Sequence, residues 1–292
     1  MSKTDQHGQP LNKGFNWSRN QRKLLHTLHG ILEGIASDGV LDELELIFLD
    51  LWIKESTLQV KSDVLDLTDI LSDALSSGSI SEATRQDAMD LVSCVREFGK
   101  PNFEDEEQRI DALIGILLGI TADDQISNEE VAALEGWLEK NRNISDSWQF
   151  KACTNALSKV LEDGFVSEDE RSYLLEIFKN VSGNEFSDTG LAISASTAAV
   201  QDEVAISEIK GCEIVITGKL VGFKSRAELV AKLEAQGAKV KGKVTRSTNI
   251  LVVGGIASRD WKHTSSGNKI KDAMKLKNDG REIAIVSEEA LL

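Results

Sequence analysis

The sequence predicts a chain of two parts, an all-α N-terminal part and a small α/β C-terminal part. Up to about residue 181, apolar residues recur at helical spacing between polar corners. Beyond residue 205, the apolar, β-favouring run Ile214-Val215-Ile216 ends at Thr217-Gly218, and a helical pattern follows.

The charged residues divide the chain in the same way. Residues 209–292 carry 16 Lys and Arg against 9 Asp and Glu, a net charge of +7, whereas the first 208 residues carry 17 against 39, a net charge of −22. The length suits two domains, each with its own core, and the charges indicate one local anion-binding face on an acidic protein.

The N-terminal part contains an internal repeat. Residues 28–52 align with residues 113–137 without a gap, and 10 of the 25 positions are identical. Two weaker copies begin at Ser77 and Asp163. In each copy a helix stops at a polar corner, one apolar residue follows, and Asp or Ser then caps the next helix. Three corners have capping-box spacing: Asp42 with Glu45, Ser127 with Glu130, and Ser167 with Glu170. We expect about eight helices over residues 18–181, arranged as a duplicated set of antiparallel hairpins.

The recurring corner resembles that of TerB-like helical domains, which are associated with tellurite resistance. The similarity covers residues 24–181 and implies a helical interaction domain whose acidic residues hold a cation. An EF-hand does not fit, because Glu45 suits the twelfth loop position but Gly34 and Ala36 fall where the first and third ligands belong. Helix capping is the preferred interpretation of the acidic corners. A looser cation site stays open at four carboxylates: Asp38, Glu45, Asp123 and Glu130.

The C-terminal part carries separate motif blocks in the order of one family. They lie at residues 214–220, 237–240, 245–254, 267–273 and 283–289. Together, residues 206–292 resemble a BRCT domain. The resemblance is strongest to the single BRCT modules of bacterial NAD-dependent DNA ligases, of exonuclease fusions and of the large subunit of replication factor C. It implies a four-stranded parallel sheet flanked by helices.

The BRCT resemblance also implies a phosphate site. Phosphate-binding members use a hydroxyl residue at the end of the first strand, the backbone N–H of the next residue and a Lys at the start of the second helix. These features fall on Thr217, Gly218 and Lys269, and Arg226 matches an Arg that DNA-binding members place near a 5′-phosphate. A glycine lets an anion approach the backbone, and Lys adds charge near a helix N-terminus. Four further basic residues extend the predicted face along a nucleic-acid backbone: Lys224, Lys241, Lys243 and Arg246.

The number of BRCT modules bears on the ligand. Phosphopeptide readers of the family usually pack two repeats together, and only one is present here. This favours a DNA end over a phosphopeptide, unless the protein dimerises. Residues 255–267 form an insertion with Arg259, Trp261, Lys262 and His263, longer than in the ligase modules. The aromatic ring of Trp261 would stack on a base or cover the sheet edge.

The sequence therefore predicts a non-catalytic adaptor in DNA replication or repair. Its BRCT module would bind a 5′-phosphorylated DNA end or nick, and its acidic helical part would recruit a protein partner. The alternative is a stress-response interaction protein resembling those of tellurite resistance. In that case the helical part would sense a cation and the BRCT module would contact a protein.

No enzymatic activity and no cofactor are predicted. Lys277-Asn278-Asp279-Gly280 has the Lys-x-Asp-Gly spelling of nucleotidyl-transferring ligases, but it falls where the second helix of the module should end, with Gly280 at its C-cap. A catalytic domain would have to follow it, and only twelve residues do. Phosphate-loop, zinc-protease and serine-elbow motifs do not occur.

The remaining features predict a cytoplasmic protein without a membrane partner. Three widely spaced cysteines, Cys94, Cys153 and Cys212, suggest neither a disulfide framework nor a zinc site. The polar first 16 residues lack a signal-peptide core, and the longest apolar run, 112–120, is too short to span a bilayer. Composition predicts a disordered tail over 1–17, the helical domain over 18–181, a flexible linker over 182–205 and the BRCT domain over 206–292.

Overall fold

A computed structural model describes two compact units of the chain. The described residues are 17–56, 58, 67–72, 75, 81–98, 103–162, 164, 166–184, 186–190, 192, 209–218, 220, 222–223, 225–254 and 268–291. We call the part up to residue 192 the N-terminal unit and the part from residue 209 the C-terminal unit. The first is helical and the second contains a four-stranded parallel sheet, which confirms the predicted fold class at this coarse level.

The N-terminal unit is built from helices, and its described residues contain no strand. The helices are α1 (Trp17–Ile35), α2 (Glu43–Glu55), α3 (Glu82–Phe98), α4 (Glu106–Ile120), α5 (Asn128–Lys140), α6 (Trp148–Val160), α7 (Glu168–Ser182) and α8 (Phe186–Thr189). Residues 67–72 are also helical, and a 3₁₀ turn spans Arg142–Ile144. The predicted capping boxes at Asp42, Ser127 and Ser167 are confirmed. The predicted corner at residues 77–80 lies outside the described residues.

Helices α1 and α4 cross so closely that their backbones nearly touch. A Cβ added to Gly30 would lie 2.1 Å from the carbonyl oxygen of Ala112, and one added to Gly115 would lie 2.1 Å from that of Thr27. The contact is thus reciprocal, since each helix places a glycine against a carbonyl of the other. The next glycine of each helix repeats the arrangement one turn later: Gly34 and Gly119. Only glycine permits so close a crossing, and the apolar residues on either side form the core of the unit.

The predicted linker is wrong at its start. Helix α7 continues to Ser182 and ends at the left-handed Gly183. The Asn184 amide then donates to the Thr121 hydroxyl at 2.7 Å, and the buried Phe186 ring packs edge-on against Phe48 at a centroid distance of 5.3 Å. These anchors are single residues in a polar stretch, so composition alone did not indicate them. Residues 193–205 and the predicted tail up to residue 16 lie outside the described residues.

The described residues of the C-terminal unit form a parallel sheet of four strands and two helices. Its elements are β1 (Glu213–Thr217), α9 (Arg226–Ala235), β2 (Lys239–Lys241), β3 (Ile250–Val253), α10 (Asn268–Asn278), β4 (Ala284–Ser287) and a 3₁₀ turn at Glu288–Leu291. The strand order is β2-β1-β3-β4, and all three pairings are parallel. One face of the sheet packs against α9 through Leu229 and Leu233.

The strand order makes β1 and β3 the place where the chain changes direction across the sheet. From β1 the chain crosses to β2 at one edge, and from β3 it crosses to β4 at the other. In open α/β sheets, ligands bind at such a switch point, beyond the carboxyl ends of the strands. Here those ends are adjacent, because the Gly254 N–H donates to the Thr217 carbonyl oxygen at 2.9 Å.

Candidate anion site at the end of strand β1

The end of β1 combines a buried hydroxyl residue with a left-handed glycine. Thr217 is 6% exposed and lies in register with Val253 of β3. Because side chains alternate along a strand, Thr217 points to the face opposite Ile216, whose side chain joins the core beneath α9. Gly218 has a φ of 75°, which a glycine adopts without steric cost. The backbone therefore turns sharply directly after the hydroxyl.

Two cationic side chains converge on this turn. Arg226, the first residue of α9, donates from Nη1 to the Ile216 carbonyl oxygen at 2.8 Å and from Nη2 to the Gly218 carbonyl oxygen at 2.9 Å. Lys269, on the first turn of α10, donates from Nζ to the same Ile216 oxygen at 2.9 Å. The four residues predicted from the phosphate-site pattern, Thr217, Gly218, Arg226 and Lys269, are thus brought together.

The two cations affect each other. Burial lowers the pKa of Lys269, and the positive charge of Arg226 lowers that pKa further. The carbonyl that they share is neutral, so it does not cancel their repulsion. A bound anion would do so, because it would interact favourably with both charges.

Lys243 and Arg246, which were also predicted for the basic face, do not contact the Thr217-Gly218 turn as Arg226 and Lys269 do. Lys243 is exposed just beyond β2. The sequence predicts that Arg246 extends the basic face of the phosphate site along a nucleic-acid backbone, but the structure places Arg246 near the amino end of the sheet. Its neighbour Ser247 donates to the carboxylate of Glu213, the first residue of β1, at 2.6 Å. The reason is topological, because a connection to a parallel strand must return to the end where that strand starts. Lys224 and the insertion 255–267 lie outside the described residues.

Glu288 is a site neighbour that the sequence did not single out. It directly follows β4, is 2% exposed, and its carboxylate accepts the Gly222 N–H at 2.9 Å. It therefore holds part of the connection between β1 and α9, which starts at Gly218 and leads to Arg226 at the start of α9. Its position after the last strand, at the carboxyl edge of the sheet, was the signal that could have identified it.

The acidic corners of the N-terminal unit act as caps and turns. The Glu45 and Glu130 carboxylates accept the N–H of their own N-cap residues, at 2.9 and 2.7 Å. Asp38 accepts the Val40 N–H, and Asp123 makes the matching bond with the Gln125 N–H. Among the described residues, no group of three or more His, Cys, Asp and Glu side chains has an arrangement able to hold a metal ion.

The acidic corners Asp38–Glu45 and Asp123–Glu130 nevertheless influence each other electrostatically. Burial raises the pKa of Glu45 to about 9, and the carboxylates of Asp42, Asp123 and Asp38 add to that rise. Burial likewise raises the pKa of Glu130 to about 7, and Asp123 and Asp38 contribute again. The pKa of Asp123 is raised for the same reasons. Carboxyls from both corners therefore lie close enough to repel each other.

The ligase-like tetrapeptide is a helix end. Helix α10 stops at Asn278, and Gly280 follows with a φ of 78°, in agreement with the predicted C-terminal turn. The N–H of Arg281 donates to the Leu276 carbonyl and closes this turn.

No family model matches the chain, and no solved structure matches it significantly. In the part of the chain that the structure describes, no helix combines the length and apolarity that crossing a membrane requires.

Proposed function

We propose that the C-terminal unit binds a phosphate group at the carboxyl end of β1 and that this phosphate is the 5′-phosphate of a DNA end or nick. The observation that carries the proposal is the convergence of Arg226 and Lys269 beside the Thr217-Gly218 turn. The switch-point position of the turn and the BRCT resemblance of residues 206–292 support it. On this proposal the protein is a non-catalytic adaptor in DNA replication or repair.

A DNA end fits the chain better than a phosphopeptide does. The sequence carries one BRCT-like module, and the groove that reads a phosphopeptide in this family forms between two. The net charge of +7 over residues 209–292 suits a polyanion, for which backbone contacts supply affinity without sequence information. The acidic remainder, with its net charge of −22, would be repelled by DNA. We therefore assign to this acidic part the binding of a protein partner.

The proposal includes a duplication within the N-terminal unit. The reciprocal glycine contacts of α1 and α4 are equivalent under the 85-residue offset of the repeat, because Gly30 corresponds to Gly115 and Thr27 corresponds to Ala112. A second contact recurs in both halves. Arg85 donates to the carbonyl oxygen of Leu41 at 3.1 Å, and Arg171 donates to that of Ile126 at 2.5 Å. Leu41 and Ile126 are the apolar corner residues of the two copies, again 85 apart.

The test is a binding assay on the full chain. A duplex labelled at a 3′ end is offered with and without a 5′-phosphate, and fluorescence anisotropy measures both affinities. We expect the phosphorylated duplex to bind about tenfold more tightly or better, as charge-assisted hydrogen bonds to the phosphate contribute on the order of 1.5 kcal/mol or more. Thr217→Ala and Lys269→Gln should each reduce this preference.

Lys275→Gln is the matched control, because Lys275 is an exposed lysine on the same helix as Lys269. Circular dichroism of each variant checks that the fold is retained. Equal affinity of the native protein for the two duplexes would overturn the proposal. So would a preference that survives in correctly folded Thr217→Ala and Lys269→Gln proteins.

A second candidate function is cation sensing by the N-terminal unit, as in the stress-response alternative. The mutual influence of the Asp38–Glu45 and Asp123–Glu130 corners favours it. Against it, burial keeps the Glu45 carboxyl largely protonated at neutral pH. Isothermal titration of the full chain with calcium, magnesium and zinc discriminates, and the absence of binding heat would remove this candidate.

A further inference from the structure

Strand β2 presents two lysines on an open edge of the sheet. It is the outermost strand, and it pairs only with β1 among the described strands. Lys239 and Lys241 are exposed, whereas Val240 between them packs against the core beneath α9. Because side chains alternate along a strand, both lysines point to the face away from α9.

The strand register relates these lysines to the anion site. Lys241 lies opposite Val215 of β1, and Lys239 lies opposite Glu213. Paired residues of neighbouring strands share a face, and Val215 shares its face with Thr217 two residues further on. Lys239 and Lys241 therefore project on the same face of the sheet as the Thr217 hydroxyl.

Strand geometry sets the spacing. Residues two apart on a strand are separated by about 7 Å, and neighbouring strands lie about 4.8 Å apart. The Cα atoms of Lys241 and Thr217 are therefore about 8 Å apart, and Lys239 lies about 7 Å beyond Lys241. Long lysine side chains reach well across such gaps. The result is a line of cationic groups that starts at the anion site and runs down the edge strand.

We propose that Lys241 and Lys239 form a track for the phosphodiester backbone of the strand whose 5′-phosphate is held at Thr217. This inference rests on the proposed function and adds the direction in which the nucleic acid leaves the site. The ligand is a polynucleotide strand bound through its phosphates, independently of base sequence. Each successive lysine meets a phosphate further from the 5′ end.

The two lysines contribute unequally. Lys239 lies opposite the acidic Glu213, which offsets part of its charge for a polyanion. Lys241 lies opposite the apolar Val215 and next in line to the phosphate site. Lys241 therefore contributes the larger share of the affinity.

The competing explanation is that the lysines only protect an edge strand. Charged side chains, lysine above all, keep open edges from pairing with other chains. That role requires charge at the edge but no particular face. The placement of both lysines on the Thr217 face, in line with the anion site, favours the track.

The experiment measures the affinity of the full chain for 5′-phosphorylated oligonucleotides of increasing length, labelled at the 3′ end, over a range of salt concentrations. The native protein should gain affinity with the first added nucleotides. In Lys241→Gln the slope of log Kobs against log salt should become less negative by about 0.7, the value for one phosphate contact on a single strand. Lys239→Gln should show a smaller change in the same direction, and Lys275→Gln is the control that should show none.

The outcomes separate this inference from the function on which it rests. A retained preference for the 5′-phosphate with an unchanged salt slope in both variants overturns the track and leaves the phosphate site standing. Absence of a 5′-phosphate preference in the native protein, with salt slopes that still become less negative in the variants, overturns the 5′-phosphate site and supports backbone binding at β2. Displacement of the oligonucleotide by polyglutamate at equal charge concentration overturns the assignment to nucleic acid.

Discussion

Lys269 is the residue whose charge decides the strength of the proposed anion site. Its pKa is lowered by burial and by Arg226, so it loses its proton at a lower pH than an ordinary lysine. We predict that affinity for 5′-phosphorylated DNA falls as the pH rises toward that lowered pKa, before the normal lysine range near 10.4 is reached. Anisotropy titrations at a series of alkaline pH values measure this loss.

The comparison for this prediction is Lys269→Arg. An arginine stays protonated throughout the accessible range, so the variant should keep its residual affinity to higher pH than the native protein. If both proteins lose affinity at the same pH, the titrating group is not Lys269.

Glu45 makes the stability of the N-terminal unit depend on pH. Its pKa is about 9 in the folded protein against a usual value of 4.5. Between these two pH values, the Glu45 carboxyl therefore keeps its proton in the folded state but has lost it in the unfolded state. The stability that Glu45 contributes is fully present below pH 4.5 and is lost as the pH rises through about 9.

We predict that Glu45→Gln flattens this dependence. Glutamine keeps the acceptor for the Asp42 N–H but carries no charge, so the variant should gain stability relative to the native protein between pH 5 and pH 9, on the order of a few kcal/mol. Urea unfolding followed by tryptophan fluorescence measures it, since four of the five tryptophans precede residue 150. Parallel pH profiles for the two proteins would contradict the assignment.

The crossing of α1 and α4 depends on glycine at the element level. We predict that Gly30→Ala destabilises the N-terminal unit, because its Cβ would meet the Ala112 carbonyl oxygen at 2.1 Å and force the helices apart. Overpacking of this kind costs about 1–3 kcal/mol, more than the roughly 1 kcal/mol that alanine gains in helix propensity. Urea unfolding at fixed pH provides the measurement.

Gly136→Ala is the control for the helix crossing. Gly136 lies inside α5, and a Cβ added there would meet nothing within 4 Å. The same substitution should therefore stabilise the protein by about 0.5–1 kcal/mol. If the two variants changed stability in the same direction, close packing of α1 on α4 would not be the cause.

For the whole molecule, the division of charge and structure between two units predicts where DNA acts. In hydrogen exchange of the full chain, 5′-phosphorylated DNA should protect amides in the C-terminal unit, strongest around residues 214–218 and 268–273. A ligand at 100 times its Kd stabilises the unit that binds it by about 2.7 kcal/mol. Amides of the N-terminal unit, such as those of α4, should exchange as before. Protection confined to the N-terminal unit would contradict the assignment.

Local patterns predicted much of the fold. The capping boxes at Asp42, Ser127 and Ser167 were readable because a cap involves only residues three apart. The strand ending at Thr217-Gly218 was readable because an apolar run met a turn signal. The packing of residues 182–184 and the position of Arg246 could not be predicted from local patterns. Each depends on contacts with distant residues: Asn184 with Thr121, and Ser247 with Glu213.

The order of an acidic helical part and a basic α/β part could be predicted from the amino-acid sequence alone. The same holds for the residues at which the helices after the corners begin, and for the residues that carry hydroxyl, glycine and cationic chemistry. These features follow from composition and short-range periodicity. Which of the cationic side chains meet depends on the three-dimensional fold. Lys269 and Ile216 are 53 residues apart, and a parallel sheet unites the carboxyl ends of its strands while sending Arg246 to the opposite end. Chain topology, which no local pattern encodes, therefore selects the site from the many basic residues available.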